Sequence, residues 1–165
     1  MDATPKEVFI GIAERIAQLG WHIVVYFEAA DLEELIPFLE SLPTIIVVDH
    51  MGRPDVSKSV DHPEFQRFAD LMARNENIWT KVTCPERLTQ AGPPYDDVVA
   101  YGAHIVERFP DRVIWGTDWP HPNMKSHMPD DGALVDYIPR IAPSAEAQQK
   151  LLVDNPMRLY WGSDA

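Results

Sequence analysis

Asp118 ends the run Val113-Ile114-Trp115-Gly116-Thr117-Asp118, and a carboxylate there can take a proton from water attacking a carbonyl. The competing assignment is an aspartate that caps its own loop. His50 follows the β-branched run Thr44 to Val48, so it too stands at a strand end. An imidazole in that place can polarise a carbonyl or bind a metal. Alternatively it holds its own loop through Asp49 or Asp55. Arg53 and Arg87 both lie just past strand ends, and guanidinium forks bind carboxylates in a bidentate way. Their neighbours Asp55 and Glu86 offer ordinary surface pairs instead. Tyr26 can donate its hydroxyl to a carboxylate, and Asn123 can orient substrate or water; a core tyrosine and a turn asparagine are the plainer alternatives. His121 either reaches the edge of such a site or packs on Trp119. Lys81 is expected to pair with an acid. Cys84, with no base spaced near it, reads as a free buried cysteine.

These residues need a scaffold that brings strand ends together. Val8, Ile12, Ile16 and Leu19 recur on one face of a first helix, which Gly20 ends. Strands are then expected at Trp21–Phe27, Thr44–Val48, Asn77–Thr83 and Val113–Thr117. Helices are expected from Asp31 to about Leu42, from Pro63, from Tyr95 to Phe109, from Leu134 to Ile141 and from Ser144 to about Val153. Pro120 and Pro122 stop the fourth strand, because neither can continue a paired central strand. Strand starts lie roughly 23 to 35 residues apart, the size of one βα unit. Buried strands without clean alternation argue for a parallel sheet.

Two stretches carry a family resemblance. Trp115-Gly116-Thr117-Asp118-Trp119-Pro120-His121 resembles the last-strand motif of the amidohydrolase-related hydrolases, a branch of the metal-dependent-hydrolase TIM barrels. Asp49-His50-Met51-Gly52-Arg53-Pro54-Asp55 is similar to the family's sixth-strand histidine motif. Cys84-Pro85-Glu86-Arg87-Leu88 and Asn155-Pro156-Met157-Arg158-Leu159-Tyr160 extend the likeness, which is strongest to the pyrone-dicarboxylate lactonases and runs from about Pro5 to Trp161. The resemblance implies an α/β fold: four βα units, the C-terminal half of a TIM (β/α)8 barrel, which needs eight. It makes residues 1–165 a single truncated domain whose first four barrel strands are absent, with Met1 an internal or truncated start. It also implies hydrolysis of a lactone ester in aromatic-compound catabolism. Asp118 would be the general base, His50 would line the site, and Arg53, Arg87, Tyr26 and Asn123 would bind substrate. The His-x-His pair that the family places on its first strand does not occur in this chain.

Cofactor and partner expectations follow. His22, His62, His104 and His127 share no metal-ligand spacing, which leaves His50 and Asp118; two ligands are too few for zinc. The family resembled has metal-using and metal-free members, and the arginines with the likeness to the pyrone-dicarboxylate lactonases imply metal-free hydrolysis, so no cofactor is expected. The alternative is a decarboxylase or amidohydrolase of the same barrel that uses zinc or manganese, and a further one is a catalytically inactive half-barrel. The expected ligand is a small anionic lactone, which the net charge of −12 and pI of about 4.7 would repel unless local arginines prevail. No basic stripe for nucleic acid and no stretch of ~20 apolar residues for a membrane is present. One cysteine allows no internal disulfide and suits the cytoplasm. Two open sheet edges predict self-association or pairing with a missing N-terminal half.

Overall fold

The computed structural model describes residues 5–122, 124–125 and 128–162. Four short strands form one sheet: β1 (Ile23–Val25), β2 (Ile46–Val48), β3 (Ile78–Lys81) and β4 (Val113–Ile114). Their order is sequential and every pairing is parallel, with Ile23 opposite Ile46, Ile46 opposite Ile78, and Thr80 opposite Val113. The helices are α1 (Lys6–Ala17), α2 (Leu32–Glu40), α3 (Pro63–Arg74), α4 (Pro85–Leu88), α5 (Asp96–Arg108), α6 (Asp131–Ile141), α7 (Ala145–Gln149) and α8 (Asn155–Trp161). A π-helical turn over Lys150–Asp154 joins the last two. The expected βα alternation is thus present. The strands are shorter than their apolar runs, because hydrogen-bond pairing ends where each chain turns toward the site.

Two differences from the sequence expectation have local causes. Residues 85–88 form α4, a helix absent from the sequence expectation, since Pro85 suits the first helical position. Helix α6 begins at Asp131 rather than Leu134, because the Asp130 side chain accepts from the Gly132 amide at 2.7 Å and caps it.

The pleat divides the strand residues between two faces. Ile23, Ile46, Val48, Ile78 and Val113 point into the main core with the helices. There Phe65, Phe68, Leu71 and Met72 of α3 and Val98, Tyr101 and Ile105 of α5 are buried. Val47, Trp79 and Ile114 point the other way and pack with Leu159 of α8. Helix α8 therefore lies across the sheet's second face. Its Arg158 guanidinium stacks 4.8 Å from the Trp79 ring, and Tyr160 meets His22 edge-on at 5.1 Å.

Hydrogen bonds fix the layers. Arg112 Nη1 donates to the carbonyls of Met72, Asn75 and Ile78 at 2.8–3.0 Å, closing the α3–β3 corner. Buried Asn155 donates to the carbonyls of Pro110 and Val113 at 2.8 and 2.7 Å, anchoring α8 against β4. Strands β1 and β4 each pair on one side only among the described residues. No helix among those residues is long and apolar enough to cross a membrane.

Candidate active site

Each strand delivers its polar residues at the C-terminal end, so β1 to β4 present Tyr26, His50, Cys84 and Asp118 along one edge. Parallel pairing makes this unavoidable: all four chains leave the sheet on the same side. The turns they make are unusual. His50, Met51, Arg53, Cys84 and Asp118 all have left-handed backbone, with φ between 52° and 63°. Such conformations cost about 1–2 kcal/mol per non-glycine residue and concentrate where a site over-determines the backbone.

His50 is buried. Its Nδ1 lies 2.7 Å from Thr83 Oγ1, and its Nε2 lies 3.6 Å from Cys84 Sγ. Burial lowers its pKa against the opposing pull of Asp49 and Asp118, which favours the neutral ring. The hydrogen bond to Thr83 thus replaces the expected anchors, because Asp49 pairs with Lys81 at 2.7 Å and Asp55 is engaged by Ser57 and Lys58. The pairing expected of Lys81 is present.

Arg87 does not pair with its neighbour Glu86. Its Nη1 reaches Asp118 Oδ2 at 3.2 Å and approaches Cys84 Sγ at 4.0 Å. Helix α4 explains the choice, since it turns Arg87 to the open edge and Glu86 into the interior. Tyr26 is half exposed and stands edge-on to His50, with ring centroids 6.1 Å apart. Its hydroxyl donates to Glu28, and Arg53 meets the same carboxylate at 3.4 Å. Arg53 therefore sits with Tyr26 at the rim, apart from the Arg87–Asp118 pair. Asn123 lies outside the described residues.

The sequence reading missed three participants. Thr83 and Glu28 carry no motif that marks them. Cys84 is the free buried cysteine that the sequence suggests, yet folding sets it, with no base near it in the chain, between His50 and Asp118. One ligand atom from each of His50, Cys84 and Asp118 lies within 4.8 Å of the others, so the donor set is three rather than two. A nitrogen, a sulfur and an oxygen donor form a combination that zinc accepts, with one position left open. Burial, then the charges of Glu86 and Asp118, push the Cys84 thiol far up, so the free site holds it protonated.

The amidohydrolase family model matches residues 2–161. The chain is 62% identical over 169 aligned residues to a 2-pyrone-4,6-dicarboxylate hydrolase of Comamonas testosteroni, covering 98% of this chain and 55% of that protein. It is 37% identical to a 4-sulfomuconolactone hydrolase of Hydrogenophaga intermedia, covering 93% of this chain and 51% of the relative. Among solved structures, a Pseudomonas putida protein described as a 2-pyrone-4,6-dicarboxylic acid hydrolase superposes with a TM-score of 0.78 at 28% identity, over 98% of this chain and 60% of the other. The chain thus spans about half the length of the curated relatives it matches. Its four-stranded parallel sheet with helices is an α/β half-barrel. A family match over residues 2–161 and 62% identity to a curated relative across 98% of this chain lead to one assignment: the chain belongs to the amidohydrolase family.

Proposed function

We propose that this chain supplies half of the active site of a lactone hydrolase acting on a pyrone- or muconolactone-type dicarboxylate in aromatic catabolism. The observation that carries the reading is the Arg87–Asp118 pair facing neutral His50 at the sheet's C-terminal edge. The names of the Comamonas and Hydrogenophaga relatives support it. Asp118 takes a proton from water as the water oxygen attacks the lactone carbonyl. His50, through the nitrogen not engaged by Thr83, donates to the carbonyl oxygen as negative charge develops there. The ring C–O bond then breaks and its oxygen receives the proton, giving an opened acid. Arg53, Arg87, Tyr26 and Asn123 hold the substrate carboxylates. The lone free Cys84 suits a reducing compartment, so the same reading places the protein in the cytoplasm.

The test is Asp118→Asn in this chain combined with the N-terminal half of the barrel, followed by loss of pyrone absorbance. The expected fall in kcat is about 10²- to 10⁴-fold, with circular dichroism unchanged. A variant that keeps a tenth or more of the rate removes Asp118 from the base role.

His50, Cys84 and Asp118 favour a second reading in which they hold a divalent ion. Such an ion would polarise the carbonyl as a Lewis acid. The metal-free reading rests on Arg87, whose guanidinium already lies 3.2 Å from Asp118 and gives it a permanent counter-charge. Elemental analysis of the assembled barrel separates the two. Activity that survives exhaustive chelation supports the first, and stoichiometric zinc or manganese required for turnover replaces it with the second.

A further inference from the structure

Behind the edge just described, Glu86 and His121 form a pair that the proposed chemistry does not use. The Glu86 side chain is fully buried, and neither of its carboxylate oxygens has a hydrogen-bond partner among the described residues. Burial raises its pKa, and an unpaired buried carboxylate is costly. Facing it is His121, itself buried, whose Nδ1 also lacks a hydrogen-bond partner among the described residues and lies 3.9 Å from Glu86 Oε1. On the other side of the ring, His121 Nε2 meets Asp131 Oδ1 at 3.2 Å. One imidazole thus stands between the carboxylates of α4 and α6.

The location gives the arrangement its meaning. Glu86 is the residue before Arg87 on α4, so fixing one fixes the other. The His121 amide donates to the Asp118 carbonyl at 2.7 Å, closing the turn that carries the proposed base. Both ends of that turn are left-handed, Asp118 at φ 63° and His121 at φ 58°. Strained backbone at two non-glycine positions persists only where neighbouring contacts enforce it. The buried His121 ring packs beneath that turn, with the Asp131 carboxylate at 3.2 Å and the Glu86 carboxylate at 3.9 Å on its two sides.

We propose that buried Glu86 and His121, with Asp131 at the exposed end of the ring, form a clamp that positions Asp118 against Arg87. All three are positioning residues, since none belongs to the edge where substrate would lie. The proposal deepens the hydrolase reading, on which the role of Asp118 rests, but the clamp can be tested without turnover.

The experiment is amide hydrogen exchange, with ¹⁵N spectra of the histidine rings, on the 165-residue chain. Glu86→Ala and His121→Ala are expected to speed exchange of the residue-121 amide at least tenfold, while amides of β2 and β3 keep their rates. His121→Gln, which retains a donor toward Glu86, is expected to recover most of the protection. Glu86→Gln is expected to move the Nδ1 resonance of His121, which a carboxylate merely filling space would not do. Unchanged exchange at residue 121 in both alanine variants would overturn the clamp. So would an equal rise across β2 and β3, which would report general loosening. In the assembled barrel, His121→Ala should lower kcat about tenfold with KM within twofold, and His121→Gln should recover most of that loss. Wild-type barrel without lactone hydrolysis, but with the exchange pattern above, sinks the hydrolase reading and leaves the clamp standing.

Discussion

At the scale of single residues, the strand-end edge is a set of charges that satisfy one another. Arg87 neutralises Asp118, and Glu28 occupies both Tyr26 and Arg53. Glu28 offers those two donors the same group that a substrate carboxylate would offer. The Tyr26 hydroxyl chiefly, and Arg53 after it, hold the Glu28 carboxyl below its ordinary value. A depressed carboxylate pKa contributes stability above the unfolded value of 4.5 that is lost as pH falls through the folded value. Glu28 is exposed, so that contribution is small, and its larger effect is competition for the donors. Glu28→Gln is therefore expected to tighten binding of a planar dicarboxylate such as benzene-1,3-dicarboxylate severalfold, read by calorimetric titration of the assembled barrel. Affinity that is unchanged or weaker would show that Glu28 does not compete.

At the scale of elements, packing between α5 and α6 supports the strand ends from behind. Gly102 makes the closest approach: a Cβ there would meet Tyr137 Oη at 2.5 Å and Ile141 Cγ2 at 2.7 Å. Both neighbours are buried side chains of α6, so neither can swing into solvent. Helix propensity alone favours alanine over glycine by up to about 1 kcal/mol, but overpacking in a close-packed core costs about 1–3 kcal/mol and outweighs it. Gly102→Ala is expected to lower the urea midpoint with an unchanged slope. A midpoint at or above that of the wild type would show that α6 shifts freely. Pattern reading found all four strands and the longer helices, because burial on one face imposes periodicity. It missed α4, whose four residues are too few to show a period.

At the scale of the whole molecule, the open sheet dominates. Val24, Tyr26, Trp21 and Trp161 leave large apolar surface exposed, and two strand edges lack partners among the described residues. Helix α8 covers part of the second face through Leu159. Residual surface of this kind favours association. The purified chain is expected to sediment above monomer mass at micromolar concentration and to hydrolyse no pyrone dicarboxylate. A strictly monomeric species would remove the association, and measurable turnover by the chain alone would show that these four strands suffice for catalysis.

The sequence by itself determined the βα order, the strand-end placement of Tyr26, His50, Arg53, Arg87 and Asp118, and the family through two long motifs. Local hydrophobic periodicity and short-range spacing encode those features, so they can be read without coordinates. Tertiary structure alone decided which partners these groups take. Arg87 turns from adjacent Glu86 to Asp118, thirty-one positions away, and His50 finds Thr83 and Cys84 across the β2–β3 register rather than Asp49. Glu86 and His121, which lie in two separate motifs of the sequence, meet in the interior. Pairing depends on the direction of each side chain where its strand ends. That direction is set by left-handed turns and by the packing of α4 and α6, which contacts distant in sequence hold in place.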